Sequence, residues 1–344
     1  MSSLVSGEQG AVPGYIPFHR ARETQAASMR EAIPNVVAEI ESAGRAGLLE
    51  GPGPVFIGIG ASLAAAGAAV WTLRSRGIHA WRLNAGEHPL PFPNSEHPLV
   101  GVSQSGKSTE TLAVLESVVR ERRLAVVNAR PSPISDVARH SISTGDLADS
   151  YASTIGYSVT VMALGMVSEA WDGGDIHAGW DSIPGLMEGL VPQLDATFAD
   201  LAARVDTIVT ADCVGAGPSV GAAEVGALLL REVARIPATG MSTRQYLHGS
   251  MESAGGGLHV LLGDERELEV AGMLVDAGHQ TLVVTARDVP PREQMATVVL
   301  PELPSNQRAV LEGVVMQTLA GWLAGLRSLD VDEFVFHHSD TKVS

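Results

Sequence analysis

Short apolar runs that end in a small residue recur along this chain at a nearly fixed distance. PVFIGIG (54–60) is echoed by TIVTADCVGAG (207–217), where Gly215 and Gly217 follow Gly58 and Gly60 by 157 residues. LAVVN (124–128) is echoed by LVVTA (282–286), where Leu282 follows Leu124 by 158 residues. HVLLGD (259–264) occupies in the second half the place of LVGVS (99–103) in the first. A run that is apolar on both faces suits a strand buried in a parallel sheet. HAWRLN (79–84) reads as a further strand. Between the runs lie segments with helical spacing: 62–76, Ala-rich and stopped by Gly77; 105–122, with Leu112, Leu115, Val118 and Val119; and 306–326, with Val310, Val314 and Leu323. The alternation predicts an α/β fold of two tandem doubly wound units, each with a central parallel sheet flanked by helices.

The expected layout is an N-terminal segment (1–46), a first unit (47–172), a second unit (190–329) and a tail (330–344). The N-terminal segment carries a surface helix over 22–39, interrupted at Pro34, and 172–185 reads as a linker. A chain of 344 residues, 45% hydrophobic and 18% charged, has the core for two such units.

A net charge of −16 repels a phosphate backbone and argues against nucleic-acid partners. An anionic ligand must then be held by backbone N–H groups and helix ends rather than by a basic field. The single cysteine, Cys213, reads as core and permits neither an internal disulfide nor a thiolate cluster. Two uncharged stretches, 51–73 and 150–168, are long enough to span a bilayer. Glycines break the first, and the second lacks a flanking Lys/Arg cluster, so they read as a buried strand–turn–helix and a buried loop plus helix. MSSLVSGEQG lacks the pattern of a secretory signal. The expectation is a cytoplasmic protein with no membrane partner.

GVSQSGKS (101–108) fits the nucleotide-binding pattern G-x-x-x-x-G-K-S. In a true nucleotide loop a full strand ends at the first glycine. Here Pro98 leaves two apolar residues ahead of Gly101, and Val102 carries the strand on to Ser103. The loop is then SQSGKS, too short for that role. It places Ser103, Gln104, Ser105 and Ser108 between a strand's carboxyl end and a helix start, where unpaired N–H groups and the helix dipole attract anions. Ordinary capping accounts for one serine, not for this set.

These residues resemble the sugar isomerase (SIS) family, most of all the isomerase half of glucosamine-6-phosphate synthase and its free-standing relatives. The resemblance covers nearly all of the chain after Arg22. It rests on GIGAS (58–62), SQSGKSTET (103–111), YAST (151–154), GALLLRE (226–232), LHG (247–249) and MQTLAGWLAG (316–325). It implies that Ser62, Ser103, Gln104, Ser105 and Ser108 bind phosphate, with Ser153 near the sugar. It implies that Glu232 moves protons between C1 and C2, and that His248, sixteen residues on, opens the ring from the partner subunit of a homodimer. Lys342 would lie over the sugar. No cofactor and no metal are implied. Leu229 departs from the family, standing where the synthase has lysine, and the chain begins at Met1-Ser2 without a glutaminase segment, so glutamine-dependent amination is not expected.

The chemistry agrees with these assignments. A carboxylate suits a proton shuttle across an enediol, histidine titrates where ring opening needs it, and a desolvated lysine can form an imine. Alone, Glu232 would be a solvated helix charge and His248 a loop histidine. Lys342 would be part of a frayed end, and His337-His338 a solvated pair rather than a metal site. The reading is a metal-independent enzyme that isomerises and deaminates an amino-sugar 6-phosphate through an enediol or enolamine. Alternatives are a deglycase of a sugar-phosphate amine adduct, a plain ketose/aldose-phosphate isomerase, and a non-catalytic phosphosugar sensor. The last fits less well, because no helix-turn-helix or basic extension accompanies it.

Overall fold

A computed structural model describes residues 14–336 and 340–343, so residues 1–13 and the pair His337-His338 lie outside the described residues. In the first half, helix α1 (Phe18–Arg45) precedes β1 (Val55–Gly58), α2 (Ala61–Ser75), β2 (Trp81–Asn84), β3 (Leu99–Ser103) and α3 (Thr109–Glu116). Then come β4 (Arg123–Val127), α4 (Pro133–Val137), β5 (His140–Ser143) and α5 (Ile155–Ala170). The second half holds α6 (Ile183–Val205), β6 (Thr210–Gly215), α7 (Val220–Glu232), β7 (Ala238–Ser242), α8 (Thr243–Leu247) and β8 (Gly257–Leu262). It ends with α9 (Arg266–Asp276), β9 (Gln280–Thr285), β10 (Met295–Val299) and α10 (Ser305–Leu326).

Each half forms a five-stranded, all-parallel sheet. The order is β2-β1-β3-β4-β5 in the first and β7-β6-β8-β9-β10 in the second, so the two sheets share one topology. β1 ends at Gly58 and β6 at Gly215, the two glycines that mark the repeat. The switch in strand order falls between β1 and β3, and between β6 and β8. A crevice opens there at the carboxyl ends of the strands in such sheets.

The halves share one continuous core. α5 is apolar all round and buried along nearly its whole length, and so is most of α10. Both pack against α2 and each other, and α10 also packs against α7. α10 is long and apolar enough to cross a membrane, yet it is buried inside the protein. The two uncharged stretches are what the sequence suggests: β1 with α2, and a loop followed by α5.

Several elements differ from the sequence reading. α1 does not break at Pro34 but runs unbroken through it. Pro34 sits on the exposed face, so the carbonyl it leaves unpaired can turn to water. The helix expected over 105–122 is only α3, because the serine loop runs on to Ser108 and the chain leaves the helix at Ser117. The segment read as linker ends at Ile183, where α6 begins. The edge strands β5, β7 and β10 had no distinct signal, being short and only partly buried. Cys213 is fully buried in β6, as read, and burial pushes its thiol well above the usual range.

Candidate active site

The pattern 101–108 is not a nucleotide loop. Gly101 lies inside β3, paired with Ile57 on one side and Ala125 on the other, and the strand continues to Ser103. Beyond Ser103 the chain makes a tight turn. Gly106 has φ +64°, and a Cβ there would lie 2.0 Å from Ser132 Oγ at the start of α4. Only glycine fits that approach. Ile134 N–H donates to Gly106 O at 3.0 Å, and the N–H groups of Asn128 and Ala129 donate to Gln104 O at 3.1 Å each. The loop is therefore fixed to the end of β4 and to α4 by its backbone, while the Ser105 hydroxyl accepts from Lys107 N–H at 3.3 Å and the Ser108 hydroxyl donates to Glu110 at 3.3 Å.

Those hydroxyls do not cap helices. α4 and α8 start with true serine caps, Ser132 accepting from Ser135 N–H and Ser242 from Gln245 N–H. α2 and α3 start with none: Gly60 precedes α2, Ser108 precedes α3, and neither supplies a side-chain cap. Residues at both starts, Gly60, Ala61 and Ser62 at α2 and Ser108 and Glu110 at α3, line one cavity. The cavity measures about 300 Å³ and is lined by Ser62, Ser103, Gln104, Ser105, Ser108, Ser153, Glu232 and Lys342, with Glu110, Tyr151 and Leu228. Eight of the nine residues singled out in the sequence thus share one cavity. His248 is not among them: it caps the end of α8 and is exposed.

Glu232 arrives from the second half. It is the last residue of α7, which packs across α2 through a glycine pair. A Cβ on Gly221 would lie 2.3 Å from the carbonyl oxygen of Ala64, and one on Gly67 would lie 3.1 Å from the backbone of Gly221. Arg82 of β2 grips Glu224 of α7 through two hydrogen bonds, one of them 2.7 Å from Nη2 to Oε1. This lock sets the end of α7 above the start of α2. Burial pushes the Glu232 carboxyl up from the ordinary 4.5 to about 7. Leu229, the family departure, lies in the core and lines no part of the cavity; Leu228 is the wall residue of that turn.

The tail closes one side. Lys342 pairs with Ser108 in a short antiparallel bridge. Thr109 N–H donates to Thr341 O at 3.3 Å, and Val343 N–H donates to Lys107 O at 2.9 Å. Lys342 is therefore not frayed but held against the serine loop.

Two carboxylates escaped the sequence reading. Glu110, in the first turn of α3, accepts from the Ser108 hydroxyl at 3.3 Å and lines the cavity. Its position next to the serine loop, in STET, was the available signal. Asp149 is buried beneath the site. It accepts the N–H groups of Ile155 and Gly156, each at 2.9 Å, and of Thr154 at 3.2 Å, and it accepts from Gln104 Nε2 at 3.1 Å. It thereby joins the serine loop to the start of α5. Burial pushes its carboxyl up to about 6, against the pull of these donors. Among the described residues, no group of three His, Cys, Asp or Glu side chains converges as a metal site would.

No family model and no curated protein matches the sequence. Solved structures match the fold. The tagatose-6-phosphate ketose/aldose isomerase of Escherichia coli superposes with a TM-score of 0.77 at 14% identity, covering 96% of this chain and 99% of that one. The C-terminal domain of the glucosamine-fructose-6-phosphate aminotransferase of Francisella tularensis gives 0.75 at 16%, covering 95% and 100%. The glucosamine-6-phosphate deaminase of Thermotoga maritima gives 0.73 at 16%, covering 92% and 97%. The fold of this chain, two tandem parallel-sheet units around a shared core, is the fold of these proteins.

Proposed function

We propose that this protein is an enzyme that isomerises and deaminates an amino-sugar 6-phosphate. The reading rests on one observation: Glu232, with its carboxyl raised to about 7, shares a single cavity with the serine loop and with two uncapped helix starts. The phosphate would sit on the N–H groups opening α2 and α3 and on the hydroxyls of Ser62, Ser103, Ser105 and Ser108. The open sugar chain would pass Ser153 and Tyr151 toward Glu232.

A carboxyl that titrates near 7 can both take and return a proton at neutral pH. Glu232 would remove the proton from C2 of the open 2-amino aldose and deliver it to C1, passing through an enolamine and leaving an imine at C2. Water then adds at C2, the C–N bond breaks, ammonia leaves, and a ketose phosphate remains. Glu110 supports an amine-bearing substrate, because it places a second carboxylate in a cavity that otherwise favours anions. Lys342 would hold the sugar's oxygens from the tail side. None of these steps calls on a metal ion.

Ring opening calls for an acid–base group such as histidine, and His248 is exposed and does not line the cavity of its own chain. We place it in the neighbouring site of a homodimer in the cytoplasm. Glu232→Gln is the test of the whole reading. It should abolish ammonia release and ketose formation from an amino-sugar 6-phosphate while calorimetry still records sugar-phosphate binding. Turnover that survives the substitution would refute the assignment.

A further inference from the structure

Tyr151 gives the serine-loop cavity an aromatic wall, yet it is 40% exposed and sits on a loop. What holds it comes from near both ends of the chain. The ring of Tyr15 stacks on it, with centroids 4.3 Å apart and planes inclined by 29°. The ring of Phe334, at the start of the tail, meets it at 5.9 Å. Tyr15 itself lines no part of the cavity.

The segment that carries Tyr15 is fixed by its backbone. Tyr15 pairs with Asp149 in a parallel bridge. Asp149 N–H donates to Gly14 O at 2.9 Å, and Ile16 N–H donates to Asp149 O at 3.0 Å. Phe18 N–H donates to Asp332 Oδ1 at 2.8 Å, which ties the same segment to the tail. Asp149 is also the carboxylate beneath the site, whose side chain holds Gln104 and the start of α5. The bridge therefore joins the N-terminal segment to a residue that frames the cavity, and it sets Tyr15 beside the loop on which Tyr151 follows.

A partly exposed tyrosine on a loop has several rotamers open to it. Stacking on Tyr15 selects one, so the wall is in place before a ligand arrives. The serine loop needs no such support, since its own backbone bonds fix it to the end of β4 and to α4. Resting on the reading in which the sugar chain passes Ser153 and Tyr151, we propose that Tyr15 is a positioning residue for sugar recognition. Its ring holds the Tyr151 ring along the path of the sugar carbons. Tyr15 thus bears on the sugar and not on the phosphate, although it stands outside the cavity.

Calorimetry with two ligands separates these roles: fructose 6-phosphate, which has a sugar chain, and inorganic phosphate, which has none. Tyr15→Ala should weaken fructose 6-phosphate binding about fivefold and leave phosphate binding within about twofold of wild type. Tyr15→Leu, which keeps apolar bulk without a ring, should behave in the same way. Tyr15→Phe, which keeps the stack, should match wild type with both ligands. In a Tyr151→Ala background, Tyr15→Ala should change fructose 6-phosphate affinity by no more than about twofold, because its effect runs through that ring. Retained phosphate binding shows each variant to be folded. Three results would each overturn the positioning role while leaving the serine-loop site standing: an unchanged fructose 6-phosphate affinity in Tyr15→Ala, an equal loss for both ligands in Tyr15→Ala and Tyr15→Leu, or a further loss of about fivefold when Tyr151 is already gone. A wild-type protein that binds neither ligand overturns the serine-loop site, and the role of Tyr15 falls with it.

Discussion

Glu232 pays for its readiness in stability, and the sign of that cost can be measured. Its carboxyl titrates at about 7 in the folded protein against an ordinary 4.5, because burial disfavours the ionised form. Below the ordinary value both folded and unfolded chains hold the proton, and nothing is lost. As pH rises toward 7 the unfolded chain ionises first, so stability falls, and the full penalty is present above 7. Gln cannot ionise. Glu232→Gln should therefore match the wild type in melting temperature near about pH 4 and exceed it near about pH 8. A difference that stays constant across that range would show the carboxyl to be unperturbed. The serines make a separate prediction. Ser105→Ala with Ser108→Ala removes two charge-assisted hydrogen bonds, so sugar-phosphate affinity should drop by about 2–3 kcal/mol in calorimetry. An unchanged affinity removes the phosphate assignment. The serines were legible in the sequence because their role is local: hydroxyls crowded between a strand and a helix have few other uses. Asp149 was not, since its partners are N–H groups several residues downstream and the Gln104 amide from a distant loop.

Among the elements, the crossing of α2 and α7 decides whether there is a site at all. The serine loop belongs to the first half and Glu232 to the second, and the two meet because Gly67 and Gly221 let the helices approach backbone to backbone. Gly221→Ala puts a methyl 2.3 Å from the Ala64 carbonyl oxygen, so the helices must part. The expected cost is about 1–3 kcal/mol of stability. Turnover should suffer more than substrate binding, because Glu232 moves while the serine loop does not. A stable variant with unaltered turnover would show that the crossing does not position Glu232. Nothing in the sequence announced this pair, because a close helix crossing depends on two glycines from different halves. The central strands were legible because burial on both faces leaves continuous apolar runs such as VFIG and GLHVLL. The edge strands β5, β7 and β10 are covered less completely and mix small and polar residues, so they looked like loops.

The molecule as a whole is two halves of one sheet topology whose corresponding turns differ in charge. The turn after β8 is the counterpart of the serine loop after β3, and it reads GDERE where the first half reads SQSGKS. Asp264 there accepts from Ala286 N–H at 2.7 Å and pairs with Arg308. Arg308 Nε in turn donates to the buried Glu312 at 2.8 Å. Glu267 is buried and accepts from the Thr243 hydroxyl. Carboxylates of the protein itself, paired internally, occupy this turn where the first half has hydroxyls. The serine-loop cavity is lined by Glu232 and not by His248, and the proposed homodimer would bring His248 in from the partner chain. The repeat was legible in the sequence, but the internal pairing of the second turn was not, because Thr243 and Arg308 lie far from it along the chain. Mixing two dead variants tests the shared site. Glu232→Gln and His248→Ala should each be inactive as homodimers. If every site takes Glu232 from one chain and His248 from the other, half of randomly mixed dimers carry one intact site, and about a quarter of wild-type activity should return. No recovery after verified subunit exchange would place His248 outside the partner's site and leave ring opening to a residue of the same chain.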